Sequence, residues 1–95
     1  MPGIRRLVLD VLKPHEPPIT VFAVRISNLE GVTAVNITLQ EVDQATESVK
    51  ITIVGDEIDY ELVSKTIEEL GGVVHSIDEV VAGKIIIDAV KTEQD

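Results

Sequence analysis

Carboxylates are the residues of this chain whose number and placement suggest a chemistry. The sequence holds 17 Asp and Glu residues against 8 Lys and Arg residues, for a net charge of −9. Hard cations such as Ca²⁺ and Mg²⁺ bind where several oxygen ligands converge, and mutually repelling acids are stabilised by a cation between them. The candidate ligands of a weak divalent-cation site form two groups, Asp10 with Asp78, and His15 with Glu16, Asp43 and Glu47. The competing interpretation is that both groups are solvated surface charge.

Catalytic chemistry has less support in the sequence. His15 and His75 are the only imidazoles, and the chain contains no cysteine. Ser76 adjoins His75, but successive residues of a strand face opposite ways, which argues against a Ser–His couple of the hydrolytic kind. Gly71-Gly72 lacks the Lys-Ser/Thr of a phosphate-binding loop and is typical of a helix end. We therefore expect the protein not to be an enzyme.

Composition also argues against nucleic acid and membranes as partners. Proteins meet phosphate backbones with Lys/Arg patches, whereas Arg5-Arg6 is the only adjacent basic pair. RNA-binding modules of similar topology stack bases on strand aromatics, but the two aromatics, Phe22 and Tyr60, lie outside the predicted strands. No apolar run approaches the ~18 residues of a membrane span, and the N-terminus lacks a signal-like apolar region. We expect a cytoplasmic protein.

The elements that would position these residues follow from a loose internal repeat. A strand, a helix and a second strand are predicted between residues 4 and 42, and the same order returns between 49 and 81. Alternating apolar residues predict the strands, and apolar residues at helical spacing predict the helices. The predicted strands are 4–13, 32–43, 48–54 and 73–81, and the predicted helices are 19–29 and the segment from the Asp59 N-cap to Leu70.

Two strand–helix–strand units with right-handed crossovers predict an α+β fold, the ferredoxin-like βαββαβ sandwich. Its antiparallel sheet has the strand order 4-1-3-2 and carries two helices on one face. A single domain spans residues 1–95, with 1–3 and 92–95 frayed. The segment Lys84 to Val90 predicts a short extra C-terminal strand, paired at a sheet edge of its own subunit or of a neighbour.

This topology decides which acids meet. It gathers His15, Glu16, Asp43 and Glu47 at one end of the sandwich, and it places Asp10 and Asp78 on adjacent strands of the open sheet face. The fourth strand is difficult to phase, because an inward Ile77 implies an inward His75 and Glu79. A β-bulge, or cover from another subunit, would remove that conflict.

Several surfaces carry apolar residues that a lone subunit would leave in water. Val21 and Val24 fall off the buried face of the first helix, which indicates either a covered surface or a broad core face. The open sheet face mixes apolar and polar residues, as interfaces and shallow binding surfaces do. Exposed edge strands also invite pairing with another copy. We therefore predict a homo-oligomer.

The segment from Gly71 to Lys84, GGVVHSIDEVVAGK, resembles the C-terminal signature of an archaeal family known as domain of unknown function 211. Two further stretches agree with that resemblance: Leu7 to Pro14, and Leu29-Glu30-Gly31-Val32 followed by Val35-Asn36-Ile37-Thr38. The likeness covers nearly the whole chain. It implies a ferredoxin-like fold that associates with itself, and it leaves the activity open.

Two functions compete on these grounds. The first is a small acidic self-assembling protein, with weak binding of Ca²⁺ or Mg²⁺. The second is a regulatory small-molecule-binding module, by analogy with amino-acid-binding domains of the same βαββαβ order. In those domains the ligand lies at a subunit interface near the first strand–helix loop, which is Lys13 to Ile19 here. That analogy rests on the fold alone.

Overall fold

The structure, a computed structural model, describes residues 3–90. These residues form six elements, in the order β1 (Ile4–Pro14), α1 (Ile19–Ser27), β2 (Val32–Val42), β3 (Thr46–Ile58), α2 (Tyr60–Glu69) and β4 (Val73–Ala82). Gly3, predicted to fray, accepts a hydrogen bond through its carbonyl from the Gly83 amide at 3.0 Å. The other residues predicted to fray lie outside the described residues.

The predicted sheet topology is confirmed. The four strands form one antiparallel sheet in the order β2-β3-β1-β4. The helices lie together on one face of it, because their buried side chains join a single core cluster with the inward residues of the two central strands. That cluster consists of Leu7, Leu9, Val11, Phe22, Ile26, Val49, Ile51, Ile53, Ile58, Val63 and Ile67.

The sequence predicted the start of α2 correctly and the end of α1 incorrectly. Asp59 caps α2 as predicted, since its Oδ1 accepts from the Leu62 amide at 3.2 Å. By contrast, α1 ends at Ser27, two residues earlier than predicted. The chain must leave the helix there because the Gly31 carbonyl accepts from the Asp56 amide of β3 at 2.8 Å. Gly31 has φ +88°, and a Cβ on it would lie 2.8 Å from the Glu57 carbonyl oxygen. Each of the two helices is too short to cross a membrane, and the described residues contain no other.

Two β-bulges resolve the phase of β4. Its register against β1 shifts between Val8 and Leu9 and again between Asp10 and Val11, and the skipped residues are Asp78 and His75. Ile77 therefore pairs with inward Leu9, while Glu79 pairs with Val8 on the open face. Each bulge inserts one residue and lets the strand change phase. Of the two alternatives that the sequence left open, a β-bulge or cover from another subunit, the structure shows the bulge.

The extra C-terminal strand is not found within the described residues. Residues 84–90, which we call the tail, form no strand with their own sheet. Gly83, with φ +127°, turns the chain after β4, and Asp88 then reaches Arg6 of β1. The two bulges and charged residues of β4 make its outer edge a poor template for pairing. The prediction is wrong for pairing of this segment within its own subunit. Pairing of the segment with the sheet of a neighbouring subunit stays a prediction.

Candidate functional site

Lys13 is the one ionisable side chain that is buried within residues 3–90. It is 1% exposed and lies on β1 opposite Glu47 of β3. Its Nζ donates to Glu47 Oε1 and to the Pro14 carbonyl, both at 2.8 Å, and lies 5.3 Å from the centre of the Phe22 ring. Burial of a charge costs free energy unless the charge is paired and hydrogen-bonded. Lys13 meets that condition.

His15 extends this contact to the neighbouring turn. Its Nδ1 lies 3.1 Å from Glu47 Oε2, and its Nε2 lies 3.0 Å from the Gln44 carbonyl oxygen. Both partners are acceptors, so both ring nitrogens are satisfied only when the imidazole is doubly protonated. The Glu47 carboxylate and then the Gln44 carbonyl raise the pKa of His15 above its ordinary value. The ammonium of Lys13 and then His15 lower the pKa of Glu47.

Together, Lys13, His15 and Glu47 form a unit that we call the loop clamp. It ties the β1–α1 connection to the β2–β3 turn, which are remote in sequence. Each oxygen of Glu47 already has a cationic partner within the chain. The geometry therefore favours a mechanical role, in which Lys13 occupies the place that a bound cation would take.

The second predicted group of ligands thus comes together only in part. His15 and Glu47 are in contact, whereas the Glu16 and Asp43 side chains are exposed. The amide of Asp43 donates to the Thr46 carbonyl at 2.8 Å and closes the turn. The sequence analysis missed Lys13, although it follows Leu9 and Val11 on the inward phase of β1. A lysine in an apolar alternation was the available signal.

The first predicted group lies on the face of the sheet opposite the helices. Asp10 and Asp78 line a shallow depression of about 410 Å³, as the sequence predicted for neighbouring strands. We call this the open-face depression, and its other lining residues are Gln40, Glu41, Ser48 and Lys50. It brings a third carboxylate beside the two that were predicted.

A bulge in β2 puts Glu41 on this face. Simple alternation from Leu39 would turn Glu41 toward the helix side. The β2–β3 register shifts between Leu39 and Glu41, so Gln40 is skipped and Glu41 pairs with Ser48. Ser48 in turn pairs with Leu12, which alternates with inward Val11. The alternation of residues in the sequence could not predict the face on which Glu41 lies, because that face depends on a bulge and the bulge depends on how the two backbones pair.

Two of the three acids of the open-face depression already have contacts within the chain. Asp10 accepts from Ser48 Oγ at 3.3 Å and faces His75 Nδ1 at 3.4 Å. Asp78 accepts from Ser76 Oγ at 2.7 Å. Among residues 3–90, no three acid or histidine side chains are close enough together to hold a metal ion. The depression offers oxygen ligands, and a cation there would need a contribution from another subunit or from side-chain movement.

His75 and Ser76 do not form a nucleophile–base couple in this arrangement. The His75 ring lies beside Asp10, while the Ser76 hydroxyl donates to Asp78. His75 is one of the bulged residues and its side chain is 74% exposed. These contacts organise the rim of the depression.

Arg6 holds the tail against the other end of the open face. Its Nε donates to Glu79 Oε1 at 2.7 Å, and its Nη2 donates to Asp88 Oδ1 at 3.0 Å. Residues 87–90 and 79–82 line a common, mainly apolar depression. Val8 and Val81 are buried although their register places them on the face away from the helices. The tail therefore covers part of the mixed surface noted in the sequence.

Large apolar side chains remain exposed at both sheet edges, at one position of the central strand β1, on α1 and along the tail. Their positions are Leu12, Val21, Val24, Leu39, Val42, Val73, Ile77, Val80, Ile85, Ile86, Ile87 and Val90. On α1, Val21 and Val24 lie with Thr20 and Arg25 around an apolar depression. Within the single chain, the two valines therefore do not belong to a broadened core face.

Comparison with known proteins agrees with this architecture and assigns no activity. The family model DUF211, described as "Uncharacterized ArCR", matches residues 5–95. The "Uncharacterized protein MJ0319" of Methanocaldococcus jannaschii is 56% identical over 95 residues, which cover 100% of this chain and 98% of that protein. A ferredoxin-like α+β chain that matches the family over nearly its whole length is a member of it: this protein belongs to the DUF211 family.

Proposed function

We propose that this protein is a self-assembling interaction module that works as a homo-oligomer. The observation that carries the proposal is the apolar surface left in water by a single chain, which includes Ile77 and Val80 on β4, Leu39 and Val42 on β2, and most of the tail. Contiguous exposed apolar surface in a small domain marks an interaction site. A second copy is the natural occupant, because the exposed residues lie on both edges of one sheet and an assembly of identical copies closes by rotational symmetry.

A binding role is favoured over a catalytic one. The two histidines face carboxylates, and the serine beside His75 donates to Asp78 rather than to the imidazole. Nucleic acid remains a poor candidate partner, because the net charge is −9 and the cationic groups of Arg6 and Lys13 are already paired with acids.

Divalent-cation binding is a second candidate function, and the open-face depression is the observation that favours it. Asp10, Asp78 and Glu41 line the same space. Carboxylate oxygens are the ligands that Ca²⁺ and Mg²⁺ prefer. Lys50 also lines the depression and opposes a cation there, so we propose a weak site that is completed in the assembly.

The regulatory small-molecule module is less well supported. Its expected ligand position is the loop from Lys13 to Ile19, at a subunit interface. In the single chain the polar groups at the start of this loop are bound to each other in the loop clamp. A ligand would have to bring its own contacts or displace these.

Light scattering coupled to size exclusion tests the main proposal. We expect a mass well above 10.3 kDa at micromolar concentration, with the same result at two ionic strengths, because apolar contacts are insensitive to screening. A dilution series that gives the monomer mass throughout would overturn the proposal. An assembly that dissociates as salt increases would instead indicate association through charge.

A further inference from the structure

We propose that the tail of one copy adds as a fifth strand to the free outer edge of β2 in a second copy. The inference rests on the proposed self-assembly and names the segment and the edge that make it. It joins two features of the described chain that have no partner: an unpaired strand edge and an unpaired, strand-forming segment. Main-chain hydrogen bonds would supply the contact, as in strand addition generally.

The middle of the β2 edge, between the register shifts at Thr33 and Gln40, lacks the protection that exposed edge strands usually carry. From Ala34 to Leu39 it pairs with β3 in unbroken register, and these six residues include no charge and no proline. The opposite edge strand, β4, has two bulges at His75 and Asp78 and a further acid at Glu79. Charges, prolines and bulges are the features that prevent edge pairing. The β2 edge is therefore the receptive one.

The tail has the composition of a strand but none of the pairing. Lys84 to Val90 contains three consecutive isoleucines and a valine, and β-branched residues favour strands. All three isoleucines are exposed in the single chain, Ile85 and Ile87 at 70% and 61% and Ile86 at 42%. In an extended tail Ile85 and Ile87 share one face. That face would extend the helix-side core beside Leu39 of the neighbour.

The tail cannot make this contact with its own β2. Gly83 lies beside β1 and β4, and the sheet order puts β2 three strands from β4. Strands are ~4.8 Å apart, so β2 lies ~14 Å away across the sheet. Crossing that distance would use about the first four of the seven tail residues, so Ile85, Ile86 and Ile87 could not themselves lie along their own β2. Pairing with a second copy has no such limit.

The ion pair that holds the tail in its present position is weak. The Arg6–Asp88 ion pair involves an aspartate that is 90% exposed, and exposed ion pairs contribute at most ~1 kcal/mol. Arg6 keeps its second partner, Glu79, when Asp88 leaves. A tail that reaches from one copy to the next is a head-to-tail contact, which generates a closed ring when the rotation between copies closes.

Cross-linking tests the pairing directly, because the native chain has no cysteine. The variants Leu39→Cys and Ile87→Cys, which the proposal places on the same face, are purified separately, mixed, dissociated by dilution, reassembled and treated with a short bis-maleimide. We expect the mixed product, one chain of each, to dominate. A mixture of Val24→Cys with Ile87→Cys is the matched control and should give little product. Predominant Leu39–Leu39 product would show pairing between two β2 edges and would overturn the proposal.

Assembly of proline variants gives an independent test. Ile86→Pro removes one strand donor and should raise the dissociation constant of the assembly by about tenfold or more. The described single-chain ladders do not include Ile86, so the circular dichroism of the dilute subunit should be unchanged. Val24→Lys, an exposed change on α1, should leave the mass unaltered. An oligomer that survives Ile86→Pro but dissociates with Val24→Lys would refute the tail contact and leave self-assembly standing, whereas a monomeric wild-type chain would refute both.

Discussion

Two Lys–carboxylate pairs join the same two strands three residues apart, and their surroundings differ completely. Lys13 pairs in register with Glu47, and Asp10 pairs in register with Lys50. The first pair lies at the buried end of the inward face, where the ammonium and carboxylate are 2.8 Å apart. The second pair lies on the open face, and Asp10 contacts Ser48 and His75 instead of Lys50. Charge type and strand pairing are alike, so burial makes the difference.

The comparison shows how similar acids acquire different roles. Where the chain supplies a buried cation, as Lys13 does for Glu47, the carboxylate holds two loops together. Where the neighbouring lysine stays exposed, the carboxylates of Asp10, Glu41 and Asp78 remain available to an outside partner. A count of acids in the sequence cannot separate these cases.

Replacing each of the two lysines should give the largest difference between the buried pair and the open pair. Lys13→Met removes the buried ammonium and leaves Glu47 Oε1 and the Pro14 carbonyl without their donor. We expect the free energy of unfolding to fall by about 3 kcal/mol. Lys50→Met, on the same pair of strands, should change it by no more than about 0.5 kcal/mol. Urea unfolding at one protein concentration measures both, and equal losses would contradict the distinction between buried and open pairs.

A pH series on Glu47→Gln sharpens the same contrast. The lowered pKa of Glu47 gives a stabilisation that is full above the ordinary carboxyl value of 4.5 and is lost as pH falls through the lowered pKa. The raised pKa of His15 gives a second stabilisation. It is present in full below the ordinary imidazole value of 6.5 and is lost as pH rises through the raised pKa. The substitution removes the first contribution and the part of the second that comes from Glu47, while the Gln44 carbonyl remains beside His15.

The difference in melting temperature between wild type and Glu47→Gln should therefore be largest between pH 4.5 and 6.5 and decline on either side. Asp43→Asn is the matched control in the same turn, because the Asp43 side chain takes no part in the loop clamp. A difference for Glu47→Gln that is flat from pH 3 to pH 9 would show that the clamp is not electrostatic.

Divalent cations should give the smallest effect and should act on the open face alone. A weakly bound ion at several times its dissociation constant stabilises by about 1 kcal/mol, which raises the melting temperature of a domain this size by about 5 °C. Asp78→Asn should abolish the rise, and Asp43→Asn should retain it. Sodium chloride at matched ionic strength controls for screening of the net charge.

Two results would change this assignment. A rise no larger than that in sodium chloride would leave the acids of the open face as solvated charge. A rise lost only with Asp43→Asn would move the cation to the loop-clamp end of the sandwich, where the sequence placed its second group of candidate ligands.

Most of the fold was predictable, because its signals are local. Alternation identified the inward residues of the two central strands, and the Asp59 cap and Gly71 marked the ends of α2. The errors arose where the end of one element, or its pairing, depends on contact with another element. The contact of Gly31 with β3 ends α1 early, and the tail finds no place in its own sheet.

The candidate sites were less predictable. The sequence proposed six ligands, and the structure joins His15 to Glu47 and brings Asp10 near Asp78. The sequence analysis gave no role to Lys13 or Glu41. The position of Lys13 on the inward phase was visible in the sequence, but the bulge that turns Glu41 onto the open face was not.

The sequence by itself determined the order of the elements, the faces of the central strands and the excess of acidic residues. These properties depend on residue type and spacing, which act over a few neighbouring residues. Only the tertiary structure decided that Lys13 is buried against Glu47, that Glu41 joins Asp10, and that neither the β2 edge nor the tail has a strand partner within residues 3–90. The reason is physical: burial, bulges and free edges are set by which strands pair and in what register, and register is a property of the whole sheet.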